Sequence, residues 1–143
     1  MSHFVERLKE LVLEHNLRGY TLAQAIGVAP TSVSRFLLGK RMPNYNTFIN
    51  ILYLFNCSAD YLLGLEEFHT SEPLHEVLPF GSQLRSLMKK QKITQQKIIE
   101  DLSLSSNAVY KWLSGKSLPS PDSLIRIAEY LDCSVDYLIG RRR

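Results

Sequence analysis

The chain has 143 residues, of which 45% are hydrophobic and 22% charged, and its net charge is +3. That length allows one ordinary domain or two small ones. No apolar run approaches the roughly 20 residues that span a membrane, and the opening MSHFVERLKE mixes acidic groups into a short apolar pattern, which does not fit a signal peptide.

Two cysteines, Cys57 and Cys133, give no disulfide framework and are expected to be core thiols. His3, His15, His69 and His75 have no ligand spacing, so no metal and no cofactor are expected. No nucleophile–base constellation is visible, so the chain is not expected to be an enzyme. A soluble, cytoplasmic protein is the expectation.

The chain repeats itself. Shifted by 76 residues it matches without a gap: FVERLKEL (4–11) lies over FGSQLRSL (80–87), VSRFLLGKRMP (33–43) over VYKWLSGKSLP (109–119), and CSADYLLG (57–64) over CSVDYLIG (133–140). Two copies are too few for a solenoid. The expected organisation is a first repeat over 1–64, a linker over 65–79 and a second repeat over 80–143, each repeat near the lower size limit for folding alone.

Within the first repeat, no charged residue occurs between Met42 and Ala59. Tyr45, Phe48, Ile49, Ile51, Leu52, Tyr53, Leu54 and Phe55 are too many for one side of a helix. Two readings stand: a helix buried by the linker or the other repeat, or an interface between protein chains through Tyr45, Phe48, Tyr53 and Leu54. The linker, LEEFHTSEPLHEVLP, carries four glutamates and no Lys or Arg. Fully extended it reaches roughly 50 Å; as a flexible coil it averages about 20 Å.

The second repeat is the basic one, with eleven Lys and Arg against six acidic groups. Phe80, Leu84, Leu87 and Met88 recur at helical spacing, predicting a first helix over 80–92. Thr94 N-caps a second helix over 95–102, with Ile98, Ile99 and Leu102 inward. Ser105 caps a third over 106–113, and Gly115 suits its left-handed end. Ser120 followed by Pro121 starts a fourth helix running through Leu131. Ser134 caps a short fifth, with Asp136 complementing the helix dipole. No strand pattern appears, so the fold class is all-α, with five helices per repeat.

The second and third helices are separated by about three residues, which is helix-turn-helix spacing. Residues 93–140 resemble the Cro/C1-type (XRE-family) helix-turn-helix domain of bacterial and phage repressors. The resemblance is carried by Thr94-Gln95 opening the second helix and Val109-Tyr110-Lys111-Trp112 in the third. Gly115-Lys116, Pro119 and the closing Asp136-Tyr137-Leu138 complete it. Where the family often has Glu after the Trp, Leu113 and Leu37 stand here. The resemblance implies two tandem lambda-repressor-like domains in a transcriptional regulator of double-stranded DNA, expected to be a repressor and to sit on the nucleoid when bound.

In such domains the third helix enters the major groove. Its outward residues here are small or polar: Ser106, Asn107, Tyr110 and Lys111. Asn suits adenine and Lys suits guanine. Gln95 and Gln96 open the second helix, where the resemblance implies bracing of the reading helix or contact with the backbone, and Lys116 is placed for a phosphate. The Arg141–Arg143 run is expected to be a solvated charge run. In the first repeat Arg18 replaces the capping Thr94, Gly19 replaces Gln95, and Ala29 replaces Ser105, with Pro30 partly compensating. Thr31, Ser32, Ser34 and Arg35 still form a reading face, with Lys40 behind it. One chain would then carry two heads. The competing arrangement is a homodimer through the first repeat. The remaining alternative is a protein-interaction or antitoxin-like module with only weak DNA binding.

Overall fold

The computed structural model describes residues 2–143, with side chains from His3 onward; Met1 lies outside the described residues. Among them all regular structure is helical. The chain divides into two compact units, Met1–Glu72 and Pro73–Arg143.

The first unit holds α1 (Ser2–Glu14), α2 (Gly19–Ile26), α3 (Pro30–Leu37), α4 (Tyr45–Phe55) and α5 (Ala59–Leu62). Leu8 and Leu11 on α1, Leu22 and Ile26 on α2, Val33 and Phe36 on α3, and Phe48 and Leu52 on α4 are all buried together. Phe4 and Phe48 stack at a tilt, 6.5 Å between centroids. Arg18 offers α2 no capping side chain. Thr21 supplies the missing partner instead: its hydroxyl accepts from the Arg18 amide at 2.9 Å and donates to the Arg18 carbonyl. α3 starts on Ala29 with Pro30 at its first position.

The uncharged run of α4 divides between two environments. Tyr45 and Phe48 belong to the unit's own core, at 7% and 0% exposure, so the expected outward patch does not include them. The cause is helical spacing: positions 45, 48, 49, 52 and 55 fall on one broad face turned inward. Burial, and then the neighbouring Tyr53, push the Tyr45 phenol up to about 12. Tyr53 and Leu54 stay 42% and 38% exposed.

The second unit holds α6 (Phe80–Gln91), α7 (Gln95–Leu102), α8 (Ser106–Ser114), α9 (Pro121–Tyr130) and α10 (Val135–Ile139). The helix ends fall within one residue of those expected. Thr94, Ser105, Ser120 and Ser134 each accept a hydrogen bond from an amide three residues on, satisfying donors that a helix start leaves open. Ile98 is buried and Ile99 and Leu102 are half-buried. Phe80 meets Trp112 edge-on at 6.4 Å.

Residues 65–79 are tied to both units along much of their length. On the first unit, the amides of Leu65 and Glu66 donate to the Asp60 carbonyl, and Arg7 donates to the Glu66 carbonyl at 3.2 Å. Arg7 also lies 4.4 Å from the Tyr61 ring centroid, and His69 stacks on the same tyrosine at 3.9 Å. On the second unit, the His75 amide donates to the Arg141 carbonyl at 2.8 Å and the Leu78 amide to the Ile139 carbonyl at 3.0 Å. Arg141 returns a hydrogen bond to the His75 carbonyl and is 2% exposed. Arg143 donates to the Gly140 and Glu76 carbonyls. Arg141 therefore departs from the solvated charge run expected of the tail, because the His75 carbonyl takes up part of its buried guanidinium, whereas Arg143 stays exposed.

Candidate nucleic-acid interface

α8 is fixed from its inner side. Val109, Trp112 and Leu113 are buried at 0%, 7% and 9% exposure. α6 approaches it closely because of one glycine. A Cβ on Gly81 would lie 2.6 Å from the Trp112 carbonyl oxygen and 2.9 Å from that of Leu113. Arg85, one turn further along α6, donates to the Leu113 carbonyl at 3.4 Å. The end of α8 is closed by Gly115 in the left-handed region, at φ 79°. Neither Gly81 nor Arg85 was singled out by the sequence reading. A close approach between helices far apart in the chain leaves no periodic mark; the small residue in the first turn of α6 was the only available sign.

The outer side of α8 is open. Ser106, Asn107, Tyr110 and Lys111 are all exposed, as is Lys116 in the loop that follows. The Lys116 ammonium sits 5.3 Å from the centroid of the Tyr110 ring, within range of a cation–π attraction. At the start of α7, Gln95 is exposed and borders a pocket of about 210 Å³ that it shares with Arg85, Met88, Lys89, Ile93 and Leu113. Gln96 is exposed too, and its amide donates to Glu100 one turn on at 2.8 Å. Behind α7, Asp101 accepts from the Tyr130 hydroxyl and pairs with Lys97 at 3.1 Å. Those two bonds, Tyr130 first, hold its carboxyl below the ordinary value.

The first unit presents a related face. Thr31, Ser34 and Arg35 are exposed on α3, Ser32 is half-buried, and Lys40 and Arg41 are exposed in the loop beyond. Tyr20 on α2 and Leu38 just after α3 are among the apolar side chains exposed in this unit. A separate shallow groove of about 480 Å³ is lined by Gln24, Ile26, Gly27, Asn50, Tyr53 and Leu54.

In each unit a second and a third helix thus meet across a short turn, with the third helix anchored inside and polar outside. That arrangement defines a tandem helix-turn-helix protein. The helix-turn-helix family matches the chain twice, over residues 8–62 and 84–138, and the chain belongs to that family, in its Cro/C1-type branch.

Three relatives share part of it. The HTH-type transcriptional activator BcrR of Enterococcus faecalis is 32% identical over 44% of this chain and 31% of its own length. The uncharacterized HTH-type transcriptional regulator YqaE of Bacillus subtilis is 35% identical over 42% of this chain and 52% of its own length. The cryptic phage CTXphi transcriptional repressor RstR of Vibrio cholerae is 35% identical over 34% of this chain and 43% of its own length. The chain therefore spans about half, or less, of the relatives it matches. No solved structure matches it. Among the described residues, no helix is long and apolar enough to cross a membrane.

Proposed function

We propose that the chain is a sequence-specific regulator of transcription that binds double-stranded DNA in the cytoplasm. In this reading α8 enters the major groove, and α3 reads a second site. The observation that carries it is the two-sidedness of α8: its inner residues are locked in the core while Ser106, Asn107, Tyr110 and Lys111 face outward with no acidic group among them. Asn107 would pair with an adenine edge. Lys116 and Gln95 would hold the phosphates on either side. Repression by blocking promoter access is the action we propose. The relatives include both an activator and a repressor by name, so a promoter-reporter assay with and without the protein decides the sign.

The test is selection of bound sites from a random duplex library with the full chain. Two different half-motifs at fixed spacing are expected if both units read DNA. Two inverted copies of one motif would point to a homodimer joined through the first unit. Asn107→Ala should cost roughly 1–3 kcal/mol at one base position, whereas Lys116→Ala should weaken all sequences alike. Equal loss on every sequence for Asn107→Ala removes it from the reading role.

A second reading is favoured by the groove beside Tyr53 and Leu54. There the first unit would act as a protein-interaction module, with a second copy of the chain as one candidate partner. Affinity set by phosphate contacts falls steeply with salt, and an apolar contact changes little. Tyr53→Glu would lower the solution mass if this groove joins two copies of the chain.

A further inference from the structure

α8 carries an aromatic ring where its outward neighbours are small or polar. Tyr110 is 54% exposed, three residues after Asn107 on the same stripe and next to Lys111. Packing does not account for it, because the inner side of the helix is already filled by Val109, Trp112 and Leu113. One side of the ring is engaged: Lys116 holds its ammonium 5.3 Å from the centroid. The ammonium lies over that side and leaves the ring's remaining surface to whatever α8 meets.

We infer that Tyr110 determines specificity by reading the C5-methyl group of a thymine through apolar contact with its ring. The inference rests on the proposed placement of α8 in the major groove. There the thymine methyl is the one apolar group that the bases present; the rest are hydrogen-bond donors and acceptors. An exposed ring gains from leaving water against an apolar group. Asn107, one turn away, is suited to adenine, so a short A·T-containing step satisfies both side chains. A hydroxyl alone would not require a ring: the first repeat has Ser34 at the equivalent position. Methyl reading by a ring at this position therefore belongs to the second unit alone.

The experiment uses the full chain and the duplex obtained by site selection. Each thymine is replaced in turn by uracil, which lacks only the methyl. At one or two positions the substitution should weaken binding about four-fold, the worth of one buried carbon. Tyr110→Ala should bind the thymine and uracil duplexes equally. Tyr110→Phe should keep the difference, since the ring and not the hydroxyl makes the contact. The side chain is exposed, and Trp112 fluorescence confirms that each variant is folded. If every uracil duplex binds like its parent, or the difference survives in Tyr110→Ala, the inference is overturned while major-groove reading stands. Loss of the difference in Tyr110→Phe overturns it equally and assigns the readout to the hydroxyl. If selection enriches no site at all, both the inference and the function it rests on fall.

Discussion

Gly81→Ala puts two magnitudes in opposition. By helix propensity alone, Ala in place of Gly stabilises an interior helical position by up to about 1 kcal/mol. By geometry, the added methyl would sit 2.6 Å from the Trp112 carbonyl oxygen and 2.9 Å from that of Leu113. Ordinary contact begins near 3.4 Å, so α6 and α8 must part by several tenths of an ångström. The obstacle is backbone and cannot swing aside. Forcing a methyl into packed structure costs typically 1–3 kcal/mol, and Gly81 is the second residue of its helix, where the propensity gain is smallest. The net expectation is destabilisation of the second unit by about 1–2 kcal/mol. Trp112 is the single tryptophan of the chain, so its fluorescence during urea denaturation reports on this unit alone. With a slope of about 1 kcal/mol per molar for a unit this small, the midpoint should fall by about 1–2 M. Val5 occupies the equivalent place in the first unit, which shows that the closeness is particular to α6 and α8. A midpoint that rises, with an unchanged Trp112 spectrum, would refute the close approach that positions α8.

Three further outcomes follow from the local chemistry. Ser105→Ala removes the hydroxyl that accepts from the Ala108 amide at 3.0 Å and should cost about 1 kcal/mol by urea denaturation. The reverse change, Ala29→Ser, should return less to the first unit, because the Ser32 amide it would engage already donates to the Ala29 carbonyl at 2.9 Å. The Tyr45 phenol, raised to about 12 by burial and then by Tyr53, stabilises the first unit while neutral. That contribution is complete below the ordinary value of 10.0 and is lost as pH rises through the folded value. Helicity followed between roughly pH 10 and 12 should therefore fall in the parent and fall less in Tyr45→Phe.

The parts that the sequence made legible are those with local causes. A hydroxyl three residues before an amide writes a helix start into the chain, and Thr94, Ser105, Ser120 and Ser134 all do so. Periodic apolar residues likewise place the inner side of each helix. The outward position of Asn107, Tyr110 and Lys111 follows from the same periodicity. Other features depend on residues distant in the chain. The anchoring of residues 75–78 to residues 139–141 runs mainly through backbone amides and carbonyls, which no side-chain pattern announces. The burial of Tyr45 and Phe48 turned on how wide a face α4 gives to its own unit, and composition cannot say that. Thr21 standing in for the absent cap at Arg18 was hidden because the partner lies inside the helix rather than before it.

Comparing the repeats separates what the scaffold needs from what the outward face of the third helix is free to vary. Residues identical across the 76-residue shift are mostly inside: Phe4 and Phe80, Leu8 and Leu84, Val33 and Val109, Ile51 and Ile127, Leu62 and Leu138 are all at most 2% exposed. The outward positions of the third helices differ throughout: Thr31 against Asn107, Ser34 against Tyr110, Arg35 against Lys111. Lys40 and Lys116 are the identical pair that is exposed in both copies. Packing gives no reason to keep a lysine there. A phosphate contact would, because phosphates carry no sequence information and would suit two heads reading different bases, as proposed. If both units bind the duplex as proposed, Lys40→Ala and Lys116→Ala should each lower the log–log salt slope by about one while leaving the selected motif unchanged. A changed motif for either variant would move that lysine from the backbone to a base. An unchanged slope for Lys40→Ala alone would confine DNA contact to the second unit, and the shared lysine would then have no common explanation.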